Sequence, residues 1–534
     1  MTQFMTQLLS GDEAIAWAAV DAGLALGTGY PGTPSTEILE EVEKLGGKAQ
    51  WAPNEKVALE VGIGASVAGG RSIVTMKHVG LNVAADPLFT VAQMDLSGAL
   101  IVVSADDPGM ASSQNEQDNR RYAVAAQLPM FEPSDAQEAY KFTLKAIEVS
   151  ELWRVPVLLR VTTRVCHSKS LVRREAVKVP VARTPVYVRD TTRVMMPGNA
   201  RAGHVKIRQK LDEMAQWNEQ QGPTEIIRGS RSLGIITSGV AYQHVREAAP
   251  EASVLKLGMT HPLPIETIRR FAESVDRLIA VEEGDPYLFE SCRIAGIQID
   301  PTPSNFRFGE LNVERVRRLL RGDETPEARP VPGKPPALCP GCPHRNVYQV
   351  LSDMKCAVAG DIGCYSLGAL PPYNANDISV CMGASIGVAL GMRHIMPEQE
   401  AKKVVSILGD STFLHSGMTG IAEMVYNPPP TGHVVVVVDN GTTAMTGLQE
   451  NPATGRQLDH ARTNKVLIED VCKSLGVQNV HVVDATVDQA GFQKLLTESL
   501  AKPETTVIIN RRPCLLAAKG IKEYEKRDGQ VCRS

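Results

Sequence analysis

The chain has 534 residues, 43% of them hydrophobic and 5% aromatic, with 44 glycines, 34 prolines, ten cysteines and a formal net charge of -4. That length accommodates about three domains of ordinary size and excludes a core-starved or disordered chain. The mild acidity, without a long basic run, argues against nucleic acid and anionic membrane as partners, and no apolar stretch approaches the roughly 18 residues that span a bilayer. Residues Met1 to Ser10 show no leader pattern, so a cytoplasmic location is expected, and the cysteines point to reduced thiols and metal ligation rather than disulfides.

In chain order, Ser10-Gly11-Asp12-Glu13 predicts a capping box opening a helix whose apolar face runs from Ala14 to Val20. A short strand at Leu24 to Thr28 turns through Gly29-Tyr30-Pro31-Gly32-Thr33-Pro34-Ser35 into the next helix, with Thr33 as its expected cap and Pro34 at its first position. Such turns lie at the carboxyl ends of parallel strands, where open α/β sheets bind ligands, so Thr33 is either a plain cap or a substrate contact. A helix is expected from Asn54 to Gly70, with Glu55 in its first turn, where an ordinary exposed acid is the plainer reading. Strands follow at Ile73 to Met76, Leu100 to Val103 and Val155 to Val161. The turns after them, Lys77-His78, Asp106 to Gly109 and Thr162 to His167, are candidates for one shared pocket.

Residues 171–230 read as a polar connector with a surface helix near Val205 to Gln216. A second α/β unit, 231–330, has strands at Leu233 to Ser238, Val254 to Leu257 and Leu278 to Val281, and Gly239 is a weak candidate for holding an anion at a helix start. The Pro-rich stretch from Asp323 to Pro336 reads as a linker.

The last segment, 331–534, carries the most chemistry. Cys339-Pro340-Gly341-Cys342 can aim two thiols at one metal centre, and Cys364 and Cys514 sit where strands end, so four thiolates could converge on zinc or on an iron–sulfur cluster. Cys166, Cys292, Cys356, Cys381 and Cys472 read as packed thiols, and Cys532 has no evident partner. The strand Val404 to Leu408 ends in Gly409-Asp410-Ser411-Thr412, and the strand Val434 to Val438 ends in Asp439-Asn440-Gly441-Thr442. Side-chain oxygens of Asp410 and Asn440 with the carbonyl of Thr442 would suit Mg²⁺ against a diphosphate, with glycines letting phosphates approach the backbone.

The pairing of Gly409-Asp410 with Asn440-x-Thr442 looks like the thiamine diphosphate signature. Together with Gly29 to Ser35, Asn54 to Glu60, Thr75 to Asp86, Ala105 to Arg120, Cys339 to His344, Gly360 to Gly368, Cys381 to Ser385 and Asp439 to Pro452, it resembles the large subunits of the indolepyruvate:ferredoxin oxidoreductases. These belong to the 2-oxoacid:ferredoxin oxidoreductase superfamily. The resemblance implies three doubly wound α/β parallel-sheet domains: a pyrimidine-binding domain at 1–170, a transketolase C-terminal-like domain at 231–330 after the connector, and a diphosphate-binding domain at 331–534.

It implies further that Glu55 hydrogen-bonds the aminopyrimidine of the cofactor and that Thr33 contacts the 2-oxoacid, with His78 beside it. Gly409, Asp410, Ser411, Asn440 and Thr442 would hold the diphosphate, the last-named set of Asp410, Asn440 and Thr442 through Mg²⁺. Cys339, Cys342, Cys364 and Cys514 would ligate a [4Fe–4S] cluster. Coenzyme A is the implied acyl acceptor, a smaller β subunit and ferredoxin the implied partners, and self-association would place the cofactor near a subunit interface. The family's longer members carry a further C-terminal ferredoxin-like segment with two more cluster motifs, which does not follow Cys514 here; electrons would then leave for another subunit or carrier. Gly-Asp-Ser also replaces the usual Gly-Asp-Gly. Two rival readings remain: a nonoxidative thiamine diphosphate decarboxylase, which has no use for a redox cluster, and a noncatalytic subunit with structural zinc.

Overall fold

Ser10 begins the first helix as its neighbours dictate. In the computed structural model its hydroxyl accepts from the Glu13 amide at 3.2 Å, and the Glu13 carboxylate accepts from the Ser10 amide at 2.7 Å, closing the capping box over the helix Gly11–Asp21. The structure describes residues 6–174, 187–327 and 336–526. The chain forms two compact units, Met1–Arg329 and Pro330–Ser534.

The N-terminal unit holds two main sheets. The larger has seven strands in the spatial order Met259–His261, Met130–Phe131, Val157–Thr162, Leu100–Asp106, Ser72–Lys77, Leu26–Gly29 and Ala49–Trp51. All neighbours are parallel except the first pair. Its central strands are buried along their whole length, as a parallel sheet covered on both faces requires. The second sheet has Leu278–Val281, Ser230–Ser238, Ala252–Leu257 and Thr224–Ile227, the last antiparallel at the edge. The C-terminal unit carries one wholly parallel sheet of six strands: Ile378–Ser379, Ala357–Gly360, Val404–Gly409, His433–Asp439, Thr505–Arg511 and Asn479–Val483. The fold is therefore α/β with three mostly parallel sheets.

Several expectations for 171–230 change. Ser170–Arg173 is a strand pairing antiparallel with Thr6–Leu9, and the surface helix runs over 25 residues, Pro197–Gln221. Only Ile207, Met214 and Asn218 of that helix are buried, which is why apolar periodicity understates its length. Thr224–Ile227 already belongs to the second sheet, while Met259–His261 returns to the first, so residue 231 is not a clean boundary. Residues 175–186 and 328–335, within the expected connector and linker, and Cys532 lie outside the described residues. Among the described residues, no helix is long and apolar enough to cross a membrane.

Candidate functional site

In the N-terminal unit the three singled-out residues follow the carboxyl ends of three neighbouring strands, Thr33 after Leu26–Gly29, Glu55 after Ala49–Trp51 and His78 after Ser72–Lys77. Glu55 opens the helix Glu55–Val67, which Asn54 caps by accepting from the Val57 amide at 2.9 Å. Its side chain is buried, 5% exposed, so it is not an ordinary solvated first-turn acid. It lies against Gly80: a Cβ on Gly80 would stand 2.5 Å from Glu55 Oε1.

Thr33 does not cap the following helix. That helix is Thr36–Lys44, preceded by Ser35; the Thr33–Pro34 peptide is cis, and the Thr36 hydroxyl accepts from the Gly32 amide at 3.0 Å. The hydrogen bonds of Gly32, Ser35 and Thr36 close the turn on themselves, which leaves Thr33 half-buried and out of the cap. Gly32 in turn packs on Lys77, whose Cβ lies 3.0 Å from a Cβ built there. His78 is fully buried. Its Nε2 faces the Asn115 carbonyl at 3.1 Å, so Nε2 carries the proton and donates, and Nδ1 remains an acceptor without a partner.

The three polar turns meet, as a shared pocket requires. Lys77 Nζ donates to the Ser112 carbonyl at 2.7 Å, Thr163 donates to Asp107 at 3.1 Å, and Arg160 donates to Asp106 at 2.8 Å and to Glu132 at 2.5 Å. Burial pushes the Lys77 amine down to about 8 despite Asp107 nearby. Burial opposes ionisation of Asp118 as well, but Arg120 and Arg160 hold its carboxyl well below the usual range. A cleft of about 410 Å³ opens beside this network, lined by Asn82, Gln117, Arg121, Tyr122, Arg307 and Phe308 among others. The Gly239 turn faces the Glu132 carboxylate, 3.9 Å from a Cβ built on Gly239.

In the C-terminal unit, Val404–Gly409 pairs with His433–Asp439 in the register Gly409 to Val438, which sets Asp410 beside Asp439. Asp410 is buried. Burial and then the neighbouring Asp439 raise its carboxyl above the ordinary value, and Oδ2 has no hydrogen-bond partner. Asp439 is already committed to Arg511, whose Nε donates to it at 2.7 Å, and Arg511 also holds Glu469. The Asn440 side-chain oxygen accepts from the Thr442 amide at 3.1 Å, while the Thr442 hydroxyl donates to the Gln449 carbonyl. The Thr443 hydroxyl donates to Ser411.

A buried carboxylate oxygen without a donor, next to a second carboxylate, is an arrangement a cation resolves, so Asp410, Asn440 and Thr442 fit Mg²⁺. A Cβ on Gly409 would stand 2.9 Å from the Tyr365 ring, and Gly441, at φ +71°, faces Ile521.

The four cysteines come together. Gly341, at φ +75°, makes the tight turn in which the Cys342 amide donates to the Cys339 carbonyl at 3.0 Å. Burial, then the neighbouring thiols of Cys342, Cys514 and Cys339, push Cys364 up to about 11. The Cys514 amide donates to the Asn440 carbonyl at 2.9 Å. Of the thiols expected to be packed, Cys166, Cys292 and Cys472 are buried and Cys356 partly so, but Cys381 is exposed because its loop precedes the helix Ala384–Ile395 rather than entering the core.

Functional neighbours that the sequence did not single out are Asp361, His344, Tyr365, Asn451 and Arg511. Asp361 accepts from the Ala384 amide at 3.0 Å and the Ser385 hydroxyl at 2.6 Å, and burial raises it to about 6 against those donors. His344 Nε2 lies 3.5 Å from Asn440 Nδ2. The Cys339 to His344 run could have flagged His344; nothing local could have flagged Arg511, which reaches Asp439 through strand register.

Residues 17–223 match the family profile described as pyruvate flavodoxin/ferredoxin oxidoreductase, thiamine diphosphate-binding, and residues 361–510 match the C-terminal binding domain of thiamine pyrophosphate enzymes. The indolepyruvate oxidoreductase subunit IorA of Archaeoglobus fulgidus is 37% identical over 98% of this chain and 88% of its own length. The chain belongs to this family of 2-oxoacid:ferredoxin oxidoreductases. The IorA subunit of Methanothermobacter thermautotrophicus is 36% identical over 98% of the chain and 89% of its own length. Among solved structures, a 2-oxoglutarate:ferredoxin oxidoreductase from Magnetococcus marinus shares the fold at TM-score 0.50, with 17% identity over 60% of this chain and 65% of that one. The oxidoreductase is thus a thiamine diphosphate enzyme acting on 2-oxoacids, and both of its units carry a cofactor-binding region.

Proposed function

We propose that the chain carries out oxidative decarboxylation of an aryl 2-oxoacid of the indolepyruvate kind to its acyl-coenzyme A, with electrons leaving through a [4Fe–4S] cluster on Cys339, Cys342, Cys364 and Cys514. The observation that carries this reading is the hydrogen bond from the Cys514 amide to the Asn440 carbonyl, which joins the thiol group directly to the Asp410–Asn440 turn pair. An electron relay there would begin within one residue of the diphosphate site.

Thiamine diphosphate, when bound, supplies the electron sink for loss of CO₂. The protein groups do the rest. Asp410, Asn440 and the Thr442 carbonyl are assigned to Mg²⁺, and the Gly409 and Ser411 backbone to the diphosphate. Buried Glu55 is assigned the proton exchange with the aminopyrimidine, where exclusion of water keeps its hydrogen bond directed. Thr33 and His78 are assigned to the 2-oxoacid. Electrons pass singly to ferredoxin or to a smaller partner subunit, and the same proposal includes coenzyme A as co-substrate, self-association and a cytoplasmic site.

Electron paramagnetic resonance on anaerobically prepared protein tests it. Indolepyruvate added with thiamine diphosphate, Mg²⁺ and coenzyme A should give a reduced-cluster signal that depends on substrate, and Cys342→Ser should abolish both signal and turnover. Protein without iron that still releases CO₂, unaffected by Cys342→Ser, would make the chain a nonoxidative decarboxylase.

A further inference from the structure

Apart from Thr33, Glu55 and His78, the N-terminal unit brings a second set of ligand atoms together. Asp12 lies in the first turn of Gly11–Asp21, Glu37 in the first turn of Thr36–Lys44, and His167 at the end of the helix Thr163–His167. One ligand atom from each lies within 4.8 Å of the other two. Asp12 is the floor of the group, 1% exposed, and neither of its carboxylate oxygens has a hydrogen-bond partner. Glu37 and His167 stand exposed at the mouth.

The convergence is built rather than incidental. A Cβ on Gly11 would stand 2.2 Å from the Val165 carbonyl oxygen, so only glycine lets the helix start approach the segment that carries His167. What surrounds the Asp12 carboxylate makes its burial costly. Only the weakly donating Cys166 thiol, itself fully buried, lies against it, and the Glu37 and Glu13 carboxylates are of like sign. A carboxylate taken from water with no stronger donor and with acids beside it is stable only if it takes up a proton or meets a cation. The imidazole at the mouth adds a nitrogen ligand to the two carboxylates, the mixed set that a transition cation takes.

We propose that Asp12, Glu37 and His167 form a binding site for a divalent transition cation of the zinc class. Two oxygens and one imidazole nitrogen suit Zn²⁺ and its neighbours, with water completing the shell at the exposed mouth; Mg²⁺ and Ca²⁺ prefer oxygen alone. The bound ion joins the starts of two helices to the end of a third. One of these, Thr36–Lys44, is the helix that follows the Thr33 turn, so the ion also anchors that turn from behind.

Zn²⁺ titration of chelator-treated full-length chain, without thiamine diphosphate and in a Cys339→Ser, Cys342→Ser background that removes the competing thiols, tests the site. One equivalent should bind and raise the melting temperature. Adding His167→Gln or Glu37→Gln, both at exposed positions, should weaken binding by about tenfold or more, at least the loss that follows removal of an outer partner of a metal ligand. Mn²⁺, which thiolates bind poorly, gives the same comparison by paramagnetic resonance in a chain with its cysteines intact, where Asp410→Asn removes the oxygen site assigned to Mg²⁺. Equal binding by the His167→Gln and parent proteins with both ions, or no binding at all, overturns the proposal and leaves Asp12 and Glu37 sharing a proton.

Discussion

Glu55 owes its position to a residue that has no side chain. With 2.5 Å between Glu55 Oε1 and a Cβ placed on Gly80, Gly80→Ala forces the carboxylate aside without altering its chemistry. A displacement of about 1 Å in a catalytic group lowers turnover by about 10²-fold, so Gly80→Ala should reduce kcat by that order while the KM for the 2-oxoacid changes little. Shortening the acid in the same protein, Glu55→Asp with Gly80→Ala, should recover part of the loss; steady-state kinetics that show Gly80→Ala matching the wild type would remove Glu55 from this role. His261 carries a prediction of a different kind. Burial holds its imidazole down at about 4, so the folded protein keeps it neutral while the unfolded chain protonates it near pH 6.5. The stability it contributes is fully present above pH 6.5 and is lost as pH falls towards 4. Other buried groups titrate in the same range, so the test is a difference. The stability gap between wild type and His261→Gln at pH 7 should narrow at pH 4.5 by up to about 2–3 kcal/mol, measured by denaturant unfolding.

At the scale of single elements, the capping box is the clearest case. Ser10→Ala removes the acceptor for the Glu13 amide and should cost about 1 kcal/mol, read as a lower denaturation midpoint without a change of slope. The same helix shows what the sequence makes legible. Ser10 and Glu13 fix its start within a residue, and the uninterrupted valines of His433–Asp439 mark a buried parallel strand ending at Asp439-Asn440, because these signals are local. The site elements that escaped are set by contacts distant in sequence. Thr33 reads as a cap because threonine before proline has that preference, but the hydrogen bonds among Gly32, Ser35 and Thr36 move the helix start two residues on. The close approach of the Tyr365 ring to Gly409, forty-four positions later, leaves no mark in the local spacing. The π-helical turn Phe413–Gly417, which follows Asp410–Thr412, likewise has no sequence mark, although such turns gather at functional sites.

For the whole molecule, the distribution of buried apolar residues decides how it should unfold. Ile236, Leu255, Leu257 and Phe271 form one core and Val74, Leu88, Leu100 and Val102 another, all in the N-terminal unit. Val347, Tyr348, Ile407 and Phe492, and separately Phe413, Ile421 and Val437, form cores of the C-terminal unit. Units with their own cores depart from all-or-none behaviour, so calorimetry should resolve two components instead of a single two-state transition. Ligand linkage then assigns them. The Asp410 turn, where the Mg²⁺–diphosphate end is assigned, belongs wholly to residues 330–534. Thiamine diphosphate with Mg²⁺ at about a hundredfold above its Kd should therefore stabilise that component by about 2.7 kcal/mol. Asp410→Asn keeps the size of the side chain and relieves the repulsion with Asp439, so it should raise the component in the absence of cofactor while abolishing the shift that cofactor produces. Ser10→Ala and His261→Gln should move only the other component. A single sharp transition that every ligand and variant shifts together would mean that the two units share their stability, and the Asp410 substitution would then be read from cofactor affinity alone.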